Sequence, residues 1–156
     1  MVRSILIIKP SSLGDIVHTL PAVAFIRDAY PQADITWVIN PEFAPLLRGN
    51  PTVDHVHLFP RSDFSGLGAP RSFGPWAKTT RQLRPDLALD FQGLLRSALI
   101  AKISGAKQIY GLSDSREGAR FFSLVVSSLR TRMIWPCFQI QASGLDGPTR
   151  RGSVQV

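Results

Sequence analysis

Four consecutive apolar residues, Ile5 to Ile8, run straight into a polar, glycine-containing stretch at residues 9–14. Helical spacing follows at Ile16, Leu20 and Val23. An apolar run bounded this closely by a loop and a helix fits a strand buried on both faces, the kind parallel sheets use. Parallel strands need crossover connections, and the rest of the chain supplies them. Strand-like segments at residues 33–40 (ADITWVIN), 53–59, 87–91 and 108–112 alternate with helical ones. The expected fold class is therefore α/β, a Rossmann-like parallel sheet with helices on both faces.

The connections carry their own expectations. Helix one opens near Asp15, and Pro21 inside it predicts a kink or break near Thr19. Pro41 starts a short helix that Gly49 ends. Residues 61–74 read as a long glycine-rich loop, functional or partly mobile, and a helix follows over roughly residues 75–83. Residues 94–104 predict an amphipathic helix ending at Gly105. Ser113 or Ser115 could cap a last helix with Glu117 in its first turn.

At 156 residues, with 44% hydrophobic and 19% charged residues, the chain has the size and composition of one soluble domain with a real core. No apolar run reaches the roughly 18–20 residues of a membrane span, and the N-terminus reads as a first strand and not as a signal peptide. The net charge of +7 favours anionic partners. The basic residues form no dense, aromatic-interleaved stripe, so nucleic acid is not an expected partner. A single cysteine, Cys137, excludes an internal disulfide framework and a Cys-rich metal site, and fits a reducing compartment. Beyond about residue 129 both periods fail. Residues 1–126 are expected to form the domain, and 127–156 an aperiodic, poorly ordered tail.

The loop after strand one is the first place to look for chemistry, because open α/β sheets bind ligands at the strands' carboxyl ends. Lys9, Ser11, Ser12 and Gly14 can offer a cation, two hydroxyls and backbone N–H groups to an anion at a helix start. Asp15 is a carboxylate placed where it could take a proton from a hydroxyl. On spacing alone a purely structural reading is the simpler one: Ser12 caps the helix, Gly14 relieves the turn, and Asp15 complements the helix dipole. The loop matches neither the Walker-type phosphate loop nor the dinucleotide fingerprint. His18, one turn on, could share the face of Asp15 or be a structural residue. His55 and His57 could be a metal pair, but no third ligand is evident and a solvated strand face is the simpler reading. At the end of strand four, Asp90-Phe91-Gln92-Gly93 forms a second constellation. Gln92 suits a sugar hydroxyl and Gly93 allows close backbone approach. A tight turn with Asp90 bonded locally is the alternative.

KPSSLGDIVHTLPA at residues 9–22, taken with DFQGLLRSAL at residues 90–99, resembles the bacterial lipopolysaccharide heptosyltransferases, especially the heptosyltransferase I type of glycosyltransferase family 9. The stretches ADITWVI and SREGARFF match that family's order and spacing. The resemblance covers residues 3 to about 122. It implies the N-terminal, acceptor-side half of a GT-B fold, in which two Rossmann-like domains face a cleft. It implies inverting transfer of heptose from ADP-heptose to the lipid A–inner-core sugar acceptor, with Asp15 as base. Lys9, Ser11 and Ser12 would surround the acceptor and the departing phosphate, and Arg116 would meet the anionic acceptor. Neither cofactor nor metal is implied. The expected location is the cytoplasm, peripherally at the inner-membrane surface.

Two departures stand out. After strand three, where some members carry a dense basic cluster, only Arg61, Arg71 and Lys78 are spread out, with Arg61 the candidate nearest the strand end. The donor-binding half is also missing from these residues, so the chain alone is expected to have little or no activity. A truncated or frame-shifted gene, one half of a split enzyme, and a non-catalytic module binding an anionic sugar or nucleotide are the readings this leaves.

Overall fold

The structure, a computed structural model, describes residues 2–61 and 69–111, without the side chains of 69–71. The order is β1 (Ser4–Ile8), α1 (Leu13–Ala29), β2 (Asp34–Ile39), a 3-10 helix (Pro41–Leu47), β3 (His55–Leu58), α2 (Ala69–Gln82), β4 (Leu87–Asp90), α3 (Leu95–Ile103) and β5 (Gln108–Gly111). The five strands form one parallel sheet in the order β3-β2-β1-β4-β5. The α/β expectation holds. The domain boundary near residue 126, the last helix and the tail lie outside the described residues.

β1 is central, and its four apolar residues split by alternation. Ile5 and Ile7 join Ile16, Val23 and Ile26 of α1 with Ile35, Trp37, Ile39 and Leu89 on one face. Leu6 and Ile8 join Val38, Ala88, Trp76 of α2 and Ile100 of α3 on the other. Ile5 to Ile8 are each at most 1% exposed, so shortening any one to Ala would cost about 2–5 kcal/mol through lost burial and the cavity left behind. This two-sided burial is why an unbroken apolar run, and not an alternating one, marked the strand.

Three expectations about the helices are corrected. α1 runs unbroken through Pro21. The proline is exposed, so the residue-17 carbonyl it leaves without an amide lies on the solvent side, while Ile16, Thr19, Ala22 and Val23 stay buried against the sheet. α2 begins at Ala69, inside the stretch expected to be a loop. Pro70 falls in its first turn, where no helical N–H is needed. Trp76 anchors it: the indole N–H donates to the Leu58 carbonyl at 2.7 Å, and the ring packs edge-on against Phe59 at 5.2 Å. α3 is not cleanly amphipathic. Ser97 and Ser104 are buried, while Leu95 and Leu99 are 45% and 44% exposed.

β3 is an edge strand, shorter than expected, with Val56 and Leu58 largely exposed. Its histidines divide. His55 pairs with Asp34 at 3.1 Å on the surface. His57, expected to face solvent, is half-buried under α2, its Nε2 2.9 Å from the Thr80 hydroxyl and its ring 5.7 Å from Trp76. Burial pushes its pKa down. No third metal ligand joins the pair among the described residues. No described helix is long and apolar enough to cross a membrane.

Candidate active site

In the strand order β3-β2-β1-β4-β5 the chain progresses outward in opposite directions from β1 and β4. The loops leaving these two neighbours diverge and open a crevice at their carboxyl ends. The two sequence constellations meet there. The Lys9 ammonium donates to the Phe91 carbonyl at 3.2 Å and lies 3.5 Å from Asp15 Oδ2. One buried cation therefore ties the loop after β1 to the loop after β4. The backbone adds a second tie, Phe91 N–H to the Ile8 carbonyl at 3.1 Å.

Asp15 stands in the first turn of α1 at the crevice mouth, its side chain 54% exposed. Its Oδ2 accepts from the Ser12 N–H at 3.2 Å and the Ser12 hydroxyl at 3.1 Å. Among the described residues nothing bonds Oδ1. Burial alone would raise the Asp15 pKa, but the two Ser12 bonds and the charge of Lys9 outweigh it and hold the carboxyl below 3.8. The result is a carboxylate ionised at neutral pH, oriented through one oxygen and open at the other.

The loop is held from behind. The Trp37 indole, fully buried, donates to the Lys9 carbonyl at 3.1 Å, and the Asn40 N–H donates to the Pro10 carbonyl at 3.1 Å. Gly14 is exposed, and a Cβ there would meet nothing within 4 Å. The chain's own packing does not require this glycine, contrary to the turn-relief reading.

Asp90 does a different job. Burial raises its pKa, against the lowering effect of its hydrogen bonds and of Lys9. Its Oδ1 accepts from the N–H groups of Gln92 at 2.9 Å and Gly93 at 3.1 Å, and its Oδ2 lies 2.8 Å from the Ser97 hydroxyl. That hydroxyl also lies 2.7 Å from the Leu94 carbonyl. A serine has one proton, so the Ser97 hydroxyl donates to one of these two acceptors at a time. Asp90 thus shapes the turn, and Gly93 closes it with φ +67°, a conformation glycine adopts without penalty.

Of the sequence-derived candidates, Lys9, Ser11, Ser12, Gly14, Asp15, Gln92 and Gly93 share this crevice. His18 lies one turn further along α1 on its exposed side. Arg61 follows the end of β3, two strands from β1, which at the usual strand spacing is roughly 10 Å along the same rim. Arg116 lies outside the described residues. Trp37 and Asn40 were not singled out from sequence. Their position at the carboxyl end of β2, level with Lys9, is the signal that could have found them.

No family model matches the chain. Lipopolysaccharide heptosyltransferase 1 of Pseudomonas aeruginosa is 34% identical over 120 residues, covering 74% of this chain and 33% of that protein. Its counterpart in Salmonella typhimurium is 32% identical over 121 residues, covering 72% and 38%. Over these residues the chain is a homologue of the lipopolysaccharide heptosyltransferases. It matches their N-terminal part and spans about a third of the length of the curated relatives it matches. Among solved structures, E. coli heptosyltransferase WaaC with ADP-2-deoxy-2-fluoro heptose superposes with a TM-score of 0.69 at 21% identity, covering 97% of this chain and 50% of that one. E. coli ADP-heptose lps heptosyltransferase II gives 0.63 at 22%, covering 88% and 40%. The fold, a parallel sheet with helices on both faces, matches about half of each of these GT-B heptosyltransferases.

Proposed function

We propose that these residues form the acceptor-side wall of a heptosyltransferase active site, with Asp15 as the general base. The reaction is inverting transfer of heptose from ADP-heptose to a lipid A–inner-core sugar. Asp15 Oδ1 takes the proton of the acceptor hydroxyl, that oxygen forms the new bond to the anomeric carbon, and the bond to ADP breaks. The observation that carries this reading is the asymmetric carboxylate: Oδ2 fixed by Ser12 and Lys9, and Oδ1 without a partner among the described residues. A base must be ionised and open to its substrate, and Asp15 has a lowered pKa and a side chain 54% exposed.

A nucleotide-sugar donor is supported by two structures of E. coli heptosyltransferase WaaC, one with ADP-2-deoxy-2-fluoro heptose and one with ADP. Lys9, Ser11 and Ser12 would border the acceptor and the departing phosphate, Gln92 and Gly93 the sugar, and Arg61 and Arg116 the acceptor's anionic groups. His18 would extend the acceptor wall along α1. An anionic acceptor anchored in lipid A puts the reaction at the cytoplasmic face of the inner membrane, which the net charge of +7 suits.

Two measurements test this. The chain should bind a delipidated inner-core acceptor by calorimetry. Joined to the C-terminal part of the Pseudomonas aeruginosa relative, it should release ADP from ADP-heptose only when that acceptor is present. Asp15→Ala should lower the rate about 10²–10⁴-fold, the usual contribution of a positioned base. An unchanged rate would remove Asp15 from the mechanism, and absent acceptor binding would remove the acceptor-side assignment.

A further inference from the structure

Asn40 closes β2 beside the loop that carries Lys9, Ser11 and Ser12, and its own N–H holds that loop through the Pro10 carbonyl at 3.1 Å. The residue is only 7% exposed. Among the described residues its side-chain amide makes one marginal contact, Nδ2 to Glu42 Oε1 at 3.5 Å, and its Oδ1 is buried with no hydrogen-bond partner. On the other side of β1 the same condition recurs, with Gln92 Oε1 buried and, among the described residues, unpartnered just after β4.

Buried amide oxygens are nearly always bonded, because an unmet acceptor forfeits its hydration with no return. Two of them flanking one strand end, at the rim where the candidate base stands, are better explained by ligand than by packing. What both lack is a donor. The complement of an amide oxygen is an O–H or N–H group, and a sugar presents several O–H groups. We propose that Asn40, with Gln92 as its counterpart across β1, forms a hydroxyl-reading subsite whose amide oxygens accept hydrogen bonds from a sugar held against the Lys9–Ser12 loop. The weak tie to Glu42 leaves the Asn40 amide free to turn toward the ligand. This subsite rests on the acceptor-side reading above and adds a positioning residue to it. Its role is orientation: fixing neighbouring hydroxyls so that one of them meets Asp15.

The test uses the whole chain, the delipidated inner-core acceptor as probe, and two readouts of opposite sign. Asn40→Leu is close in shape but cannot accept. If the oxygen serves a sugar, the variant should weaken acceptor binding about tenfold, the scale of one lost hydrogen bond to a positioned group. Thermal stability without ligand should be unchanged or raised, since the unmet acceptor is gone. Gln92→Leu should behave in the same way, and a cycle of the two variants should show coupling. Equal acceptor binding by wild type and Asn40→Leu overturns the subsite while leaving the acceptor-side reading intact. A drop in stability with no change in binding also overturns it, by assigning the oxygen to internal structure. No binding by the wild type overturns both.

Discussion

The two ends of the parallel sheet use the same kinds of residue to opposite purpose. At the amino end, charged side chains close on the backbone. Asp86 accepts from the N–H groups of Arg3 at 2.8 Å and Ser4 at 3.3 Å and from the Lys107 ammonium at 2.6 Å, gathering the starts of β1, β4 and β5. Arg27, near the end of α1, donates to the carbonyls of Ala33 at 2.6 Å and Thr52 at 3.3 Å and pairs with Asp54, which in turn accepts from the Ile35 N–H at 2.8 Å. Among the described residues, only the Arg27 Nε is a buried side-chain polar atom left without a partner there. At the carboxyl end, Lys9 makes two longer contacts, and among the described residues one Asp15 oxygen stays open and Asn40 and Gln92 hold unmet acceptors. One end uses its polar groups to fasten the fold, and the other keeps some uncommitted. In an open α/β sheet the uncommitted end is where a ligand belongs.

Variants at the two ends should separate stability from binding. The largest stability effect is expected for Arg27→Ala, which strips several carbonyls and a carboxylate of their donor. Denaturant unfolding should show a loss of about 2 kcal/mol with acceptor binding unchanged. A loss of binding equal to that of Asp15→Ala would erase the distinction between the ends. A smaller effect, and one that depends on pH, is expected for Asp86→Asn. The Lys107 ammonium and the Arg3 N–H, aided by Ser4, hold the Asp86 pKa down from 3.8 to about 2. A depressed folded-state pKa stabilises fully above the unfolded value, and the gain fades as pH falls through the folded one. Wild type should therefore exceed Asp86→Asn in stability at neutral pH, and the gap should close between pH 3.8 and about 2. A gap that persists at pH 2 would assign the contribution to packing. The smallest stability change is expected for Gly14→Ala, where the added methyl meets nothing within 4 Å among the described residues. A helical Gly-to-Ala change should add about 0.5–1 kcal/mol. Weaker acceptor binding in that more stable variant would place the ligand against α1's first turn, and unchanged binding would move it away.

Much of the fold was legible because burial on both faces writes itself into sequence. Ile5–Ile8 and Leu87–Leu89 are apolar without interruption because α1 covers one side and α2 and α3 the other. Where tertiary contacts override local chemistry, the reading failed. Phe73, Trp76, Ala77 and Thr80 carry helical spacing onto the sheet, but Gly74 and Pro75 hid the start of α2. Pro21 suggested a break that the buried face of α1 prevents. In the site, Lys9, Ser12 and Asp15 were legible because they are adjacent in the chain and their types suit an anion or a proton. Asn40 was not, because a lone asparagine before a proline reads as a helix cap.

By itself the sequence determined the alternation of strands and helices, the loop that ends β1, and the kinship with heptosyltransferases. These depend on neighbours along the chain: apolar period, loop composition, motif order. The tertiary structure alone decided that β1 and β4 are adjacent. That adjacency brings Lys9 to Phe91, 82 positions away, and separates a turn-forming Asp90 from an ionised Asp15. Two carboxylates that look equivalent in a string differ here because one is buried among donors and the other stands at the mouth of a crevice. Burial and partner geometry belong to the fold, and so does the division of labour between them.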